Sequence, residues 1–165
     1  MLYKVTRNPN IGRLSHMFAL LVVLLALTSC AKPPRPTVSL HDAARTGNCD
    51  QLRRHVYWGC NINENEGRDK NTPLHVAAEA GQVKAVEFLV EVKGIDINSR
   101  NAWGNTSLHS AVLGHSVQCV RVLLEHGADA HASNGKFTPI KFVDNNWAMS
   151  ETTRKEMHEA FNKYK

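Results

Sequence analysis

Thr72-Pro73-Leu74-His75 recurs 34 residues later as Thr106-Ser107-Leu108-His109, and more weakly 32 residues further on as Thr138-Pro139-Ile140-Lys141. Stepping back by 34 from Thr72 gives Val38-Ser39-Leu40-His41. Asp42-Ala43-Ala44 follows His41 there as Val76-Ala77-Ala78 follows His75. Landmarks downstream keep the same step: Gly59-Cys60-Asn61-Ile62-Asn63, Gly94-Ile95-Asp96-Ile97-Asn98 and Gly127-Ala128-Asp129-Ala130-His131. Agreement at so many offsets marks an internal repeat with a period of about 33 residues.

Each unit has its own physical logic. Pro73 sits where a first-turn proline is tolerated, because its missing N–H would be unpaired anyway, and Thr72 can cap the helix that follows. Leu74, Ala77 and Ala78 predict a short helix whose small residues permit close stacking. Val83, Val86, Phe88, Leu89 and Val90 predict a second helix, apolar over most of its circumference because neighbouring repeats cover it on both sides. No unit can bury its apolar face alone, so stability comes from stacking. Gln51 and Arg54 stand where the third repeat has Cys119 and Val122, as suits an end face with no neighbour. In the third repeat the usual Gly position holds His115, with Gly114 one place earlier, which predicts an altered turn there.

The pattern resembles the ankyrin repeat. The resemblance implies an all-α solenoid of about four helix-turn-helix repeats, spanning about 38–71, 72–105, 106–137 and a degenerate 138–148. Thr153, Met157, Phe161 and Tyr164 fall on one stripe behind Ser150, predicting a C-terminal capping helix within 149–165.

The N-terminal residues read as an address. Lys4, Arg7 and Arg13 precede an eleven-residue apolar run from Met17 to Leu27, the order of a secretory signal. As a helix that run reaches only about 16 Å, roughly half of a bilayer's hydrocarbon core. Leu27-Thr28-Ser29-Cys30 then resembles the lipobox of bacterial lipoproteins. The resemblance implies cleavage of residues 1–29 and a diacylglycerol thioether on Cys30. The alternative is an ordinary secretory signal with an incidental Cys. Residues 30–37, rich in Pro, predict a semi-rigid tether. Ala31 in place of Asp implies, by the same resemblance, an outer-membrane anchor facing the periplasm.

Composition narrows the remaining possibilities. The chain of 165 residues has net charge +5, but Lys4, Arg7 and Arg13 supply three of its 20 basic residues, and the 15 acids nearly balance the others. No basic patch of the kind that binds nucleic acid emerges. His41, His75 and His109 share one motif position in successive repeats. Stacked helices lie about 8–10 Å apart, too far for one metal ion, and the resemblance to ankyrin repeats implies that these residues order the loops. Cys49, Cys60 and Cys119 are expected to be small buried residues, because Cys49 and Cys60 bracket one predicted helix too long for a disulfide to span. No nucleophile elbow, phosphate loop or HExxH motif is present. The expectation is a binding protein without cofactor, metal or small-molecule substrate.

In proteins with this repeat, partners dock on loop tips and on the exposed side of first helices. The matching positions are Arg68, Asp69 and Asn71; Ala102, Trp103 and Asn105; Asn134, Lys136 and Phe137; and Arg45, Glu79 and Leu113 on the helices. Trp103 and Phe137 stand out, since aromatics anchor interfaces and loop tips are normally polar. The alternative is that each ring folds back onto its own repeat. Lipoproteins of this build resemble immunity proteins that neutralise phospholipase effectors. The competing reading is an envelope scaffold or a periplasmic chaperone for an exported enzyme.

Overall fold

The computed structural model describes residues 32–164. The signal read over 1–29 and the lipidation site Cys30 lie outside the described residues. From Arg35 onward the chain forms one unit of eight helices: α1 (Leu40–Arg45), α2 (Cys49–Tyr57), α3 (Pro73–Glu79), α4 (Val83–Val90), α5 (Ser107–Leu113), α6 (Val117–Glu125), α7 (Pro139–Asn145) and α8 (Glu151–Lys163). Helices α1, α3, α5 and α7 stack as one layer, and α2, α4, α6 and α8 as a second. Among the described residues no helix is long and apolar enough to cross a membrane.

The core is the seam between the layers. Leu52, Leu74, Leu89, Leu108, Leu123 and Met157 are fully enclosed, and burying each such side chain contributes about 1.5–3 kcal/mol. Between them lie Ala43, Ala44, Ala77, Ala78 and Ala111, all without exposure. Their small size lets consecutive first helices approach closely.

Helix starts follow the motif. Thr72 and Thr106 each form a capping box with the His three residues on. Ser150 caps α8 by accepting from the Thr153 N–H at 3.1 Å. Met157, Ala160 and Phe161 bury one face of α8. This helix packs on α6 as α6 packs on α4. It takes the place of a second helix beside α6 and closes the C-terminal end of the stack as the capping helix expected there.

Two expectations about the first repeat need correction. Gln51 is not on an uncovered face: it is buried, and its amide pairs with Thr37 in both directions. Thr37 N–H donates to Gln51 Oε1 at 2.9 Å and Gln51 Nε2 donates to Thr37 Oγ1 at 3.0 Å. His55 Nε2 donates to the Val38 carbonyl at 2.9 Å, and the Arg35 guanidinium lies 5.2 Å from the Trp58 ring centroid. The last residues of the expected tether, Arg35 to Thr37, thus lie against α2. Gln51 and His55 are polar because they meet a backbone strap and not solvent.

The cysteines also divide differently. Cys119 is buried and Cys49 half-buried, but Cys60 is exposed, because α2 ends at Tyr57 and Cys60 lies beyond it. Since His55 Nε2 carries the proton given to Val38, its Nδ1 accepts from the Cys60 thiol at 3.3 Å. Burial pushes the Cys119 thiol up from its ordinary value, leaving it protonated at neutral pH.

The altered third-repeat turn has a steric cause. A Cβ on Gly114 would stand 2.1 Å from the backbone oxygen of Glu79. Gly47 and Gly81 supply positive φ at the matching place in the earlier repeats, and there His115 takes φ 55°. The close approach of α3 and α5 dictates the position of the glycine.

Candidate protein-binding surface

The loops are built by a repeated polar frame. His75 Nε2 donates to the Asn105 carbonyl at 2.9 Å, which leaves Nδ1 as acceptor for the Thr72 hydroxyl at 2.7 Å. His109 repeats the scheme with the Phe137 carbonyl at 3.2 Å and the Thr106 hydroxyl at 3.0 Å. His41 donates to the Asn71 carbonyl at 2.9 Å. It has Val38 where the others have Thr, and its Nδ1 faces Glu66 Oε2 at 3.4 Å instead. The scheme needs a neutral ring. Burial, the dominant cause in both, lowers the pKa of His75 and His109 below the ordinary value.

A second rung crosses from loop to loop. Asn101 Nδ2 donates to Asn71 Oδ1 at 2.9 Å and Asn134 Nδ2 donates to Asn105 Oδ1 at 2.7 Å. Asn105 is buried, and Asn71 and Asn134 are half-buried. The expectation that Asn105 faces a partner is therefore corrected: its amide is buried in the joint between consecutive loops, whereas Asn71 makes such a joint and stays half-exposed.

Trp103 is presented by that frame. Its N–H donates to Asn101 Oδ1 at 3.0 Å, and Gly104 turns the chain at φ 74° beneath the Asn134 backbone. The ring is 67% exposed and its Nε1 donates to Asp69 Oδ1 at 3.3 Å. It leans on the loop before it, and its face stays open to solvent. Ala102, also exposed, donates its backbone N–H to the Asp69 carbonyl at 2.7 Å.

Two recesses open on this side. The first, about 380 Å³, is polar and gathers Arg45, Glu66, Arg68, Asp69 and Asn71 beside His41. Arg45 is already held by Asp42 at 2.7 Å. The second, about 290 Å³, is lined by Leu113, Phe137, Phe142, Asn145, Asn146 and Trp147. Phe137 is half-buried: its ring meets Phe142 edge-on at 5.7 Å, and Lys136 Nζ lies 5.1 Å from its centroid. Part of that ring has thus folded back. Glu79 and Lys136 are exposed, but neither lines a recess with the aromatics.

The most exposed aromatic among the described residues is one that the repeat pattern does not reach. Trp147 is 92% exposed and Leu113 42%, so the second recess has an apolar rim open to solvent. The repeat period says nothing about Trp147, which lies in the linker Asn146-Trp147-Ala148-Met149-Ser150 between α7 and α8. The available signal was a tryptophan directly after Asp144-Asn145-Asn146. On the opposite side, a recess of about 500 Å³ among the second helices is lined by Glu87, Arg121, Glu125, Glu159 and Lys163. Its charged rim, braced by Tyr164 Oη donating to Glu125 at 2.7 Å, offers no aromatic anchor.

A two-layer stack of helix pairs with hydrogen-bonded loops along one side defines a repeat scaffold. The chain belongs to the ankyrin-repeat family: the family model "Ankyrin repeats (3 copies)" matches residues 40–134. It is 36% identical over 74 residues to alpha-latroinsectotoxin-Lt1a of Latrodectus tredecimguttatus, covering 45% of this chain and 5% of the toxin. It is 37% identical over 95 residues to BRCA1-associated RING domain protein 1 of Caenorhabditis elegans, covering 58% and 13%. With ankyrin repeat and SOCS box protein 5 of Mus musculus it shares 32% identity over 124 residues, covering 74% and 35%. The chain spans between 5% and 35% of the length of these relatives, so what they share is the repeat module. Ankyrin repeats are non-catalytic scaffolds that mediate protein–protein interaction.

Proposed function

We propose that this chain is an envelope-anchored lipoprotein that captures a protein partner on its loop side, with Trp103, Leu113, Phe137 and Trp147 as anchors. The observation that carries the reading is the exposed aromatic rim. Trp103 and Trp147 show 67% and 92% of their surface to solvent, a cost that a monomer's core does not repay and that a partner's pocket would. The basic, apolar and Cys-terminated order of residues 4–30 supports a lipid anchor on Cys30 at the outer membrane, facing the periplasm. In its narrower form the partner is a secreted phospholipase effector, blocked sterically by an immunity protein tethered where that enzyme acts.

Cys30→Ser tests the anchor. It moves the protein from the membrane fraction to the soluble fraction, and a Cys30→Ser protein that stays with the membrane contradicts the anchor. The narrower form requires that the purified chain, titrated against the effector on phospholipid vesicles, stop hydrolysis at one chain per enzyme. Undiminished hydrolysis at excess chain ends it.

A further inference from the structure

The end of α2 carries an aromatic pair that the loop-side surface does not use. Tyr57 is 55% exposed and Trp58 37%, their rings edge-to-face at 5.8 Å. Arg35 caps the Trp58 ring at 5.2 Å. Arg54 stands one helical turn before Trp58 and so on the same side of the helix. On α1 and α2, Arg45 and Arg53 are paired with Asp42 and Asp50, so Arg54 is the arginine of these two helices left to act with Arg35.

Tryptophan and tyrosine beside arginine suit the boundary between acyl chains and headgroups. The rings sit at headgroup level and the guanidinium groups face lipid phosphates. Chain length brings that boundary within reach. Arg35 is the fifth residue after Cys30, and a fully extended chain covers about 3.3–3.6 Å per residue, so Arg35 lies within roughly 17 Å of a lipidated Cys30. The strap of Thr37 and Val38 on Gln51 and His55 holds Arg35 beside α2.

We infer that Tyr57, Trp58, Arg35 and Arg54 form a second, non-covalent contact with an anionic phospholipid surface, seating the first repeat on the membrane. The inference rests on the lipid-anchor reading above. A single acyl attachment fixes position but not orientation, whereas a lipid plus an aromatic–basic patch fixes both. With helices stacked at about 8–10 Å per step, the Trp147 recess then stands roughly 25–30 Å from the surface.

The test uses the full, membrane-extracted chain in vesicles of phosphatidylcholine and phosphatidylglycerol carrying brominated acyl chains. The Trp103→Phe, Trp147→Phe protein keeps Trp58 alone; the Trp58→Phe, Trp147→Phe protein keeps Trp103 alone. Trp58 emission is quenched roughly twofold or more beyond that of Trp103, and Arg35→Glu with Arg54→Glu removes the difference. Mass spectrometry of the same samples reads Cys30. Acylated protein whose Trp58 is quenched no more than Trp103, or whose quenching ignores the charge reversal, overturns this inference and leaves the anchor standing. Unmodified Cys30 overturns the anchor, and this inference with it.

Discussion

Gly114→Ala destabilises the protein by about 2–3 kcal/mol, an overpacking cost, although helix propensity predicts the opposite sign. Gly114 ends α5 at φ −76° and ψ 2°, a conformation open to any residue. Alanine there would ordinarily gain about 0.4–1 kcal/mol by restricting the unfolded chain. The added methyl, however, falls 2.1 Å from the Glu79 oxygen, and that atom is backbone and cannot swing away. The clash wins, and α3 and α5 must separate. The neighbouring substitution reverses the outcome. His115→Gly relieves a left-handed φ of 55° and adds about 0.5–1 kcal/mol, less any contribution from its exposed contact with Asn146. Urea midpoints of the two variants, moving to opposite sides of the parent, check the pair.

His75→Ala costs about 3–4 kcal/mol. The side chain is fully buried, and its loss strands the Asn105 carbonyl and the Thr72 hydroxyl while opening a cavity, each a penalty of about 1–3 kcal/mol. The same ring makes stability depend on pH. The unfolded imidazole titrates near 6.5, and burial places the folded value below that. Above 6.5 both states are neutral and the full stability is present. As pH falls below 6.5 the unfolded chain takes the proton first, and stability declines until the folded value is passed. His109 adds in the same direction. Acid lability below about pH 6.5 is therefore reduced in a His75→Gln, His109→Gln variant, measured as the change in urea midpoint with pH.

Most of the fold was legible because the repeat writes the same physical problem several times. Thr72, Pro73, Leu74 and His75 are a cap, a first-turn proline, a core leucine and a loop clamp, and the copies at 106–109 share the cap, the leucine and the clamp. The fourth unit was less legible: the interval shortens to 32 residues and Lys141 replaces the clamp histidine, although the apolar stripe of α8 marked the helix that closes the stack. At the other end, Gln51 and His55 are polar because a backbone strap covers them, and sequence does not distinguish a strap from water. The candidate surface was partly legible. Trp103 and Leu113 stand exposed where the motif places them, whereas Asn105 is withdrawn into the loop-to-loop ladder. Trp147 lies outside any repeated position and became visible only through the recess it rims.

The central claim, that the loop side is the face on which a protein partner sits, is tested most directly by photo-crosslinking in intact cells. The full chain would carry a benzophenone side chain at position 103, 147 or, as the opposite-side control, 121. Adducts with one discrete protein at 103 and 147, and none at 121, are the predicted result. No adduct at either tryptophan position, or the same adduct at 121, contradicts it.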